Sequence, residues 1–119
     1  MGNSNCSDQQ ERLIRMKLIV LTYAEDEFIN AVRYYEDLEK ELGSKFSSEV
    51  SSYIEWIRSN YNLPSLRKGG YRRVNLRVFP YFISYIIRGQ TIWILAIAHV
   101  HRKPLFWRDR ISKITNLHE

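Results

Sequence analysis

Hydrophobic positions change their spacing several times along this chain, and each change marks an element. Met16 to Tyr23 is a nearly continuous apolar run rich in β-branched residues, the length of one strand. Ala24-Glu25-Asp26-Glu27 then opens a helix, with acids in its first turn complementing the dipole. Phe28, Ala31, Val32, Tyr35, Leu38 and Leu42 follow at helical spacing and form one apolar stripe. Gly43 is placed to end this helix and Ser44 to cap a second, whose apolar face is Phe46, Val50, Tyr53, Ile54 and Ile57. So short a turn makes the two helices an antiparallel hairpin. Its outer face carries Glu36, Glu39, Glu41, Glu49 and Glu55, most simply a solvated surface.

Beyond a loop punctuated by Pro64 and Gly69-Gly70 the period becomes two. Val74, Leu76 and Val78 alternate with Arg73, Asn75 and Arg77, predicting a strand with one apolar and one polar, basic face. Pro80 precedes a strand over Tyr81 to Arg88, and Gly89-Gln90 suits a two-residue hairpin with glycine first. Thr91 to Val100 is almost wholly apolar and is expected to lie centrally, buried on both faces. The order β-α-α-β-β-β predicts an α+β fold, an antiparallel sheet with an α-helical hairpin packed on one face.

At 119 residues there is room for one domain. Residues 1–15 have no apolar periodicity and read as a disordered leader, leaving 16–119 as the functional domain. Cys6 is the single cysteine, which excludes an intrachain disulfide and a cysteine-based zinc site and fits a reducing cytoplasm. The longest apolar stretch is too short to span a bilayer, and residues 1–15 lack the apolar centre of a signal peptide. No cofactor motif and no third ligand beside His99 and His101 are evident, so neither a cofactor nor a metal is expected.

Charge is segregated. From Arg67 onward there are 11 Lys and Arg against two acids, and before it seven against 11, giving +5 overall. Such a division presents a basic face to an anionic partner. Arg72, Arg73, Arg77, Arg102, Lys103 and Arg108, with the aromatic Trp107, are the candidate target- or nucleic-acid-binding residues. If the chain cleaves RNA, His99 and His101 are the candidate base or acid, and Arg73, Arg77 and above all Arg102 the candidate cations for the phosphorane. Each has a structural alternative. His99 follows a buried strand, single arginines keep sheet faces soluble, and Phe106-Trp107 can dock on the sheet as readily as on a partner.

Tyr34-Tyr35-Glu36, Glu41-Leu42-Gly43, Gly70-Tyr71-Arg72-Arg73, Leu76-Arg77, Phe79-Pro80-Tyr81, Ile94 to His99, Arg102-Lys103-Pro104 and Trp107-Arg108 fall in this order on the β-α-α-β-β-β frame. In that combination the chain resembles the RelE/ParE superfamily, toxins of bacterial type II toxin–antitoxin (plasmid stabilisation) modules, over about residues 16–110. The resemblance implies a cytoplasmic toxin neutralised by a cognate antitoxin. It also implies one of two targets, DNA gyrase for ParE-like members or ribosome-bound mRNA for RelE-like endonucleases. The nuclease pattern wants an arginine after the tyrosine of the third strand, where this chain has Phe82 after Tyr81, and a second basic residue where it has Asn75. The closer likeness is to the ParE-like branch, which needs no catalytic set. A non-toxic protein- or RNA-binding module is the third reading.

Overall fold

The computed structural model describes residues 16–103 and 105–118; the sequence's leader and Cys6 lie outside them. Seven elements follow in order: β1 (Lys17–Val20), α1 (Thr22–Leu38), α2 (Leu42–Asn60), β2 (Arg72–Asn75), β3 (Tyr81–Arg88), β4 (Thr91–His99) and α3 (Arg110–His118). The architecture is α+β, with one four-stranded sheet in the order β1-β4-β3-β2. β2, β3 and β4 pair antiparallel, as expected, but β1 runs parallel to β4, so the sheet is mixed. The helical hairpin is the reason. It carries the chain across one face of the sheet after β1, and β4 then inserts between β1 and β3.

The two faces are buried by different parts of the chain. On one, Phe28, Ala31, Val32 and Tyr35 of α1 and Phe46, Val50 and Ile57 of α2 cover Ile83, Tyr85, Ile92, Ile94 and Ile97. Leu38, the last residue of α1, is left exposed beyond this stripe. On the other, Trp107 and Ile114 cover Phe82, Ile86, Trp93, Leu95, Ala96 and Ala98. β4 is therefore central and buried on both sides, which explains its unbroken apolar run. A bulge opposite Ser84 and Tyr85 sends Leu95 and Ala96 to the same face. Gly89 has φ +60°, the glycine-first turn its sequence called for.

The hairpin turn differs from expectation. α1 stops before Gly43, the reversal is made at Glu41 in the left-handed region (φ 72°), and Gly43 and Ser44 lie inside the first turn of α2. The cap comes from α1 instead. The Glu41 and Gly43 N–H groups donate to Oε2 and Oε1 of Glu36, at 2.9 and 3.0 Å. A carboxylate there satisfies orphan donors and meets the positive end of the α2 dipole. Gly43 is required by proximity, since a Cβ would lie 2.6 Å from the Val32 carbonyl oxygen and 2.9 Å from Glu36 Cβ. The β2 alternation also stops early. Val78 and Phe79 donate their N–H groups to the Glu49 carboxylate (2.9 and 3.2 Å), so Leu76 to Pro80 forms a loop, with Val78 exposed. Two of the supposedly solvated acids are thus structural.

Gly43→Ala should destabilise the protein by about 1–3 kcal/mol through overpacking, against the usual gain for Gly→Ala in a helix. Ser44→Ala should change urea stability by less than about 0.5 kcal/mol. The reverse pattern would restore Ser44 as the cap.

Tyr85 supplies a pH prediction. Its hydroxyl donates to the Tyr61 carbonyl (2.7 Å), and burial pushes its pKa from 10.0 up to about 12. Between these values the unfolded chain has lost the proton and the folded one keeps it, so stability is complete below pH 10 and falls as pH rises through 12. Tyrosinate absorbance should show a late-titrating ring that Tyr85→Phe removes, along with part of the alkaline loss of stability. An unchanged titration in that variant would refute the assignment.

Candidate functional site

β4 outruns its neighbour. The last bond across the β1 side is Leu21 N–H to the Ile94 carbonyl (3.1 Å), after which α1 begins. The exposed backbone beyond the bulge is met by side chains. Ile97 N–H donates to Glu27 Oε1 (3.2 Å), and Arg110 Nη1 donates to the Leu95 carbonyl (2.9 Å). Glu27 and Arg110 also pair with each other through two bonds of 3.0 Å, with side chains only 16% and 15% exposed. One bidentate pair therefore ties α1, the free edge of β4 and the start of α3 together.

Beside this pair a groove of about 340 Å³ runs between α1 and the end of β4. Glu27, Asn30, Ala31 and Tyr34 line it from the helix, and Tyr81, Ile97, Ala98, His99 and Arg102 from the sheet. Two of the three candidate catalytic residues, His99 and Arg102, thus share a wall. His101 is exposed, with its ring 5.0 Å from His99. Its backbone N–H donates to His99 Nδ1 (3.1 Å), so the neutral His99 ring carries its proton on Nε2. His99 also packs edge-on against Tyr81 at 5.4 Å. Burial, then the neighbouring Tyr34 and Glu27, raises the Tyr81 pKa.

The remaining candidates do not form one face. Arg72 donates to the Pro64 carbonyl (3.1 Å). It is paired across the ladder with Tyr85, on the helix-covered side of the sheet. Arg73, its neighbour on the strand, points the other way. Its guanidinium lies 4.0 Å over the Phe82 ring and Nε donates to Asn75 Oδ1 (2.9 Å). Burial, then the charge of Arg67, lowers the Arg73 pKa. Arg77, Lys103 and Arg108 are exposed in loops, and neither Arg73 nor Arg77 lines the groove. Trp107 leaves the candidate surface. It is 2% exposed and packs against Tyr71 at 4.5 Å, because the sheet face opposite the hairpin needs a cover.

Sequence reading passed over Glu27, Asn30 and Tyr34, although their i, i+3, i+7 spacing places them on one side of α1. It also missed α3 and, with it, Arg110, 83 residues from its partner. Among the described residues no group of three His, Cys, Asp or Glu is arranged to hold a metal, and no helix is long and apolar enough to cross a membrane.

A mixed four-stranded sheet backed by a helical hairpin, with β1 parallel to a central last strand, is a ParE-like fold. The chain is similar to a chain of the chromosomal ParDE TA system from P. aeruginosa, with a TM-score of 0.65 and 19% identity over 72% of this chain and 97% of that one. No family model matches the sequence, and no curated protein matches it.

Removing either member of the Glu27–Arg110 pair should cost about 3–5 kcal/mol, since each leaves a poorly solvated charge behind. The double variant Glu27→Gln/Arg110→Met should be more stable than the sum of the single effects by more than about 0.5 kcal/mol. Additive losses in urea unfolding would show that the pair does not act as a unit.

Proposed function

We propose that this chain is the toxin of a bacterial type II toxin–antitoxin (plasmid stabilisation) module, of the ParE-like branch. It acts in the cytoplasm, arrests growth by inhibiting DNA gyrase, and is neutralised by a cognate antitoxin. The observation that carries the reading is the fold, shared with the ParDE chain over nearly its whole length. The cationic side chains support it. Arg77, Lys103 and Arg108 are exposed and make no ion pair with an acid of this chain among the described residues, so their charge is available to an anionic target.

The RelE-like endonuclease is the second reading, and the groove that brings His99 and Arg102 beside Tyr81 is what favours it. Against it stands the dispersion of the cations. A phosphorane needs several donors converging within hydrogen-bond distance, and only one arginine of the candidate set reaches that groove. The position after Tyr81 is held by buried Phe82.

Expression of the chain alone should arrest bacterial growth, and co-expression of an adjoining small antitoxin gene should relieve the arrest. Purified protein should block gyrase supercoiling while mRNA in a translating extract stays intact. Replacing Arg77, Lys103 and Arg108 together by glutamate should weaken that inhibition at least tenfold without shifting the thermal midpoint. Intact gyrase activity with codon-positioned mRNA cuts would replace this reading by the nuclease one.

A further inference from the structure

Target inhibition through the exposed cations leaves the groove between α1 and the end of β4 without a task. We propose that it is a mononucleotide-binding site, taking a nucleoside phosphate with its base on Tyr34 and its phosphate on Arg102 and His99. The site stands whether or not gyrase is the target.

Four observations define the ligand. First, the one acid in the lining is already engaged. Both Glu27 oxygens bond Arg110, and Oε1 also accepts from Ile97 N–H, so the groove does not present a free negative charge. Second, the remaining polar lining is rich in donors. Because His99 Nδ1 accepts from the His101 N–H, its Nε2 is the donor. The Arg102 guanidinium is held 3.9 Å over the Phe106 ring, a stacking that orients its plane and leaves its N–H edge free for phosphate oxygens. The Asn30 amide and the Tyr34 and Tyr81 hydroxyls add further donors, each of which also accepts.

Third, a flat apolar surface stands ready. Tyr34 is 58% exposed, yet its ring is braced edge-on by Tyr35 at 5.3 Å. Tyr35 is in turn wedged against Phe46, Phe79 and Tyr81 at 5.3, 4.8 and 5.9 Å. An exposed aromatic ring on a rigid mount is how proteins stack a base. A carboxylate-bearing peptide would use the same donors but has no need of such a ring. Fourth, about 340 Å³ is near the lower end for ligand sites, enough for one nucleotide and too little for a dinucleotide cofactor. The exposed Lys103 next to the His99–Arg102 turn adds positive charge around it.

The test is calorimetric titration of the full chain with AMP and GMP, beside adenosine and inorganic phosphate. Saturable binding of the nucleotides is expected, at least tenfold tighter than either half alone. Tyr34→Ala and Arg102→Gln should each weaken it roughly tenfold or more. Both residues lie at the surface, and unchanged thermal midpoints will show that the fold survives. Arg88→Gln, which removes an equal charge at the β3–β4 turn, should leave it unchanged. Three results would overturn the proposal: phosphate binding as tightly as AMP, an Arg88→Gln loss equal to that of Arg102→Gln, or no saturable binding of either nucleotide. An acidic peptide that competes, depends on Arg102 and ignores Tyr34 would reassign the groove to a polypeptide partner.

Discussion

A β-strand longer than its neighbour leaves backbone groups that must find partners, and this constraint organises the whole molecule. β4 needs nine residues to pair with β3, while β1 offers only four before the chain turns into α1. The Glu27–Arg110 pair fills the gap, its carboxylate accepting from the Ile97 amide and its guanidinium donating to the Leu95 carbonyl. Burying two charges is expensive, and replacing such a pair by well-packed apolar residues is often neutral for stability. Here the geometry gained is the position of α3 and of the segment that carries Trp107 onto the open sheet face.

The same device recurs elsewhere in the acidic half. Glu36 receives the first amides of α2, and Glu49 receives two amides of the β2–β3 loop. All three glutamates accept backbone N–H groups, and only Glu27 also neutralises a basic side chain. The only other ion pair among the described residues, Arg58 with Glu55, is a long contact within one helix at 3.8 Å. Three acids of the first half thus hold the scaffold, while Arg77, Lys103 and Arg108 of the second half are exposed and make no ion pair among the described residues.

Aromatic packing links that scaffold to the groove. Phe28, Phe46, Phe79, Tyr35 and Tyr81 form a connected cluster under the hairpin, and it continues outward through His99 and Tyr34. Rings in edge contact are stiff mounts with few rotamers, so groups at the cluster's outer end are positioned by the core. Beside the groove the guanidiniums of Arg102 and Arg110 both lie against the Phe106 ring, at 3.9 and 5.1 Å from its centre. The groove is therefore shaped by packing on both sides.

Periodicity in the sequence was sufficient for the helical hairpin, the β3–β4 hairpin and the central place of β4, because those features rest on local spacing and on apolar content. The gathering of charge after Arg67 and of His99, His101 and Arg102 at one strand end was equally visible. Sequence could not say that β1 pairs parallel with β4. Nor could it show that Trp107 is core, that Gly43 is pressed against another helix, or that Glu27 meets Arg110. Those depend on which distant segment lies alongside which. Such contacts are chosen by the joint burial of two sheet faces and the satisfaction of every exposed backbone group, a condition on the assembled chain that no window of neighbouring residues contains.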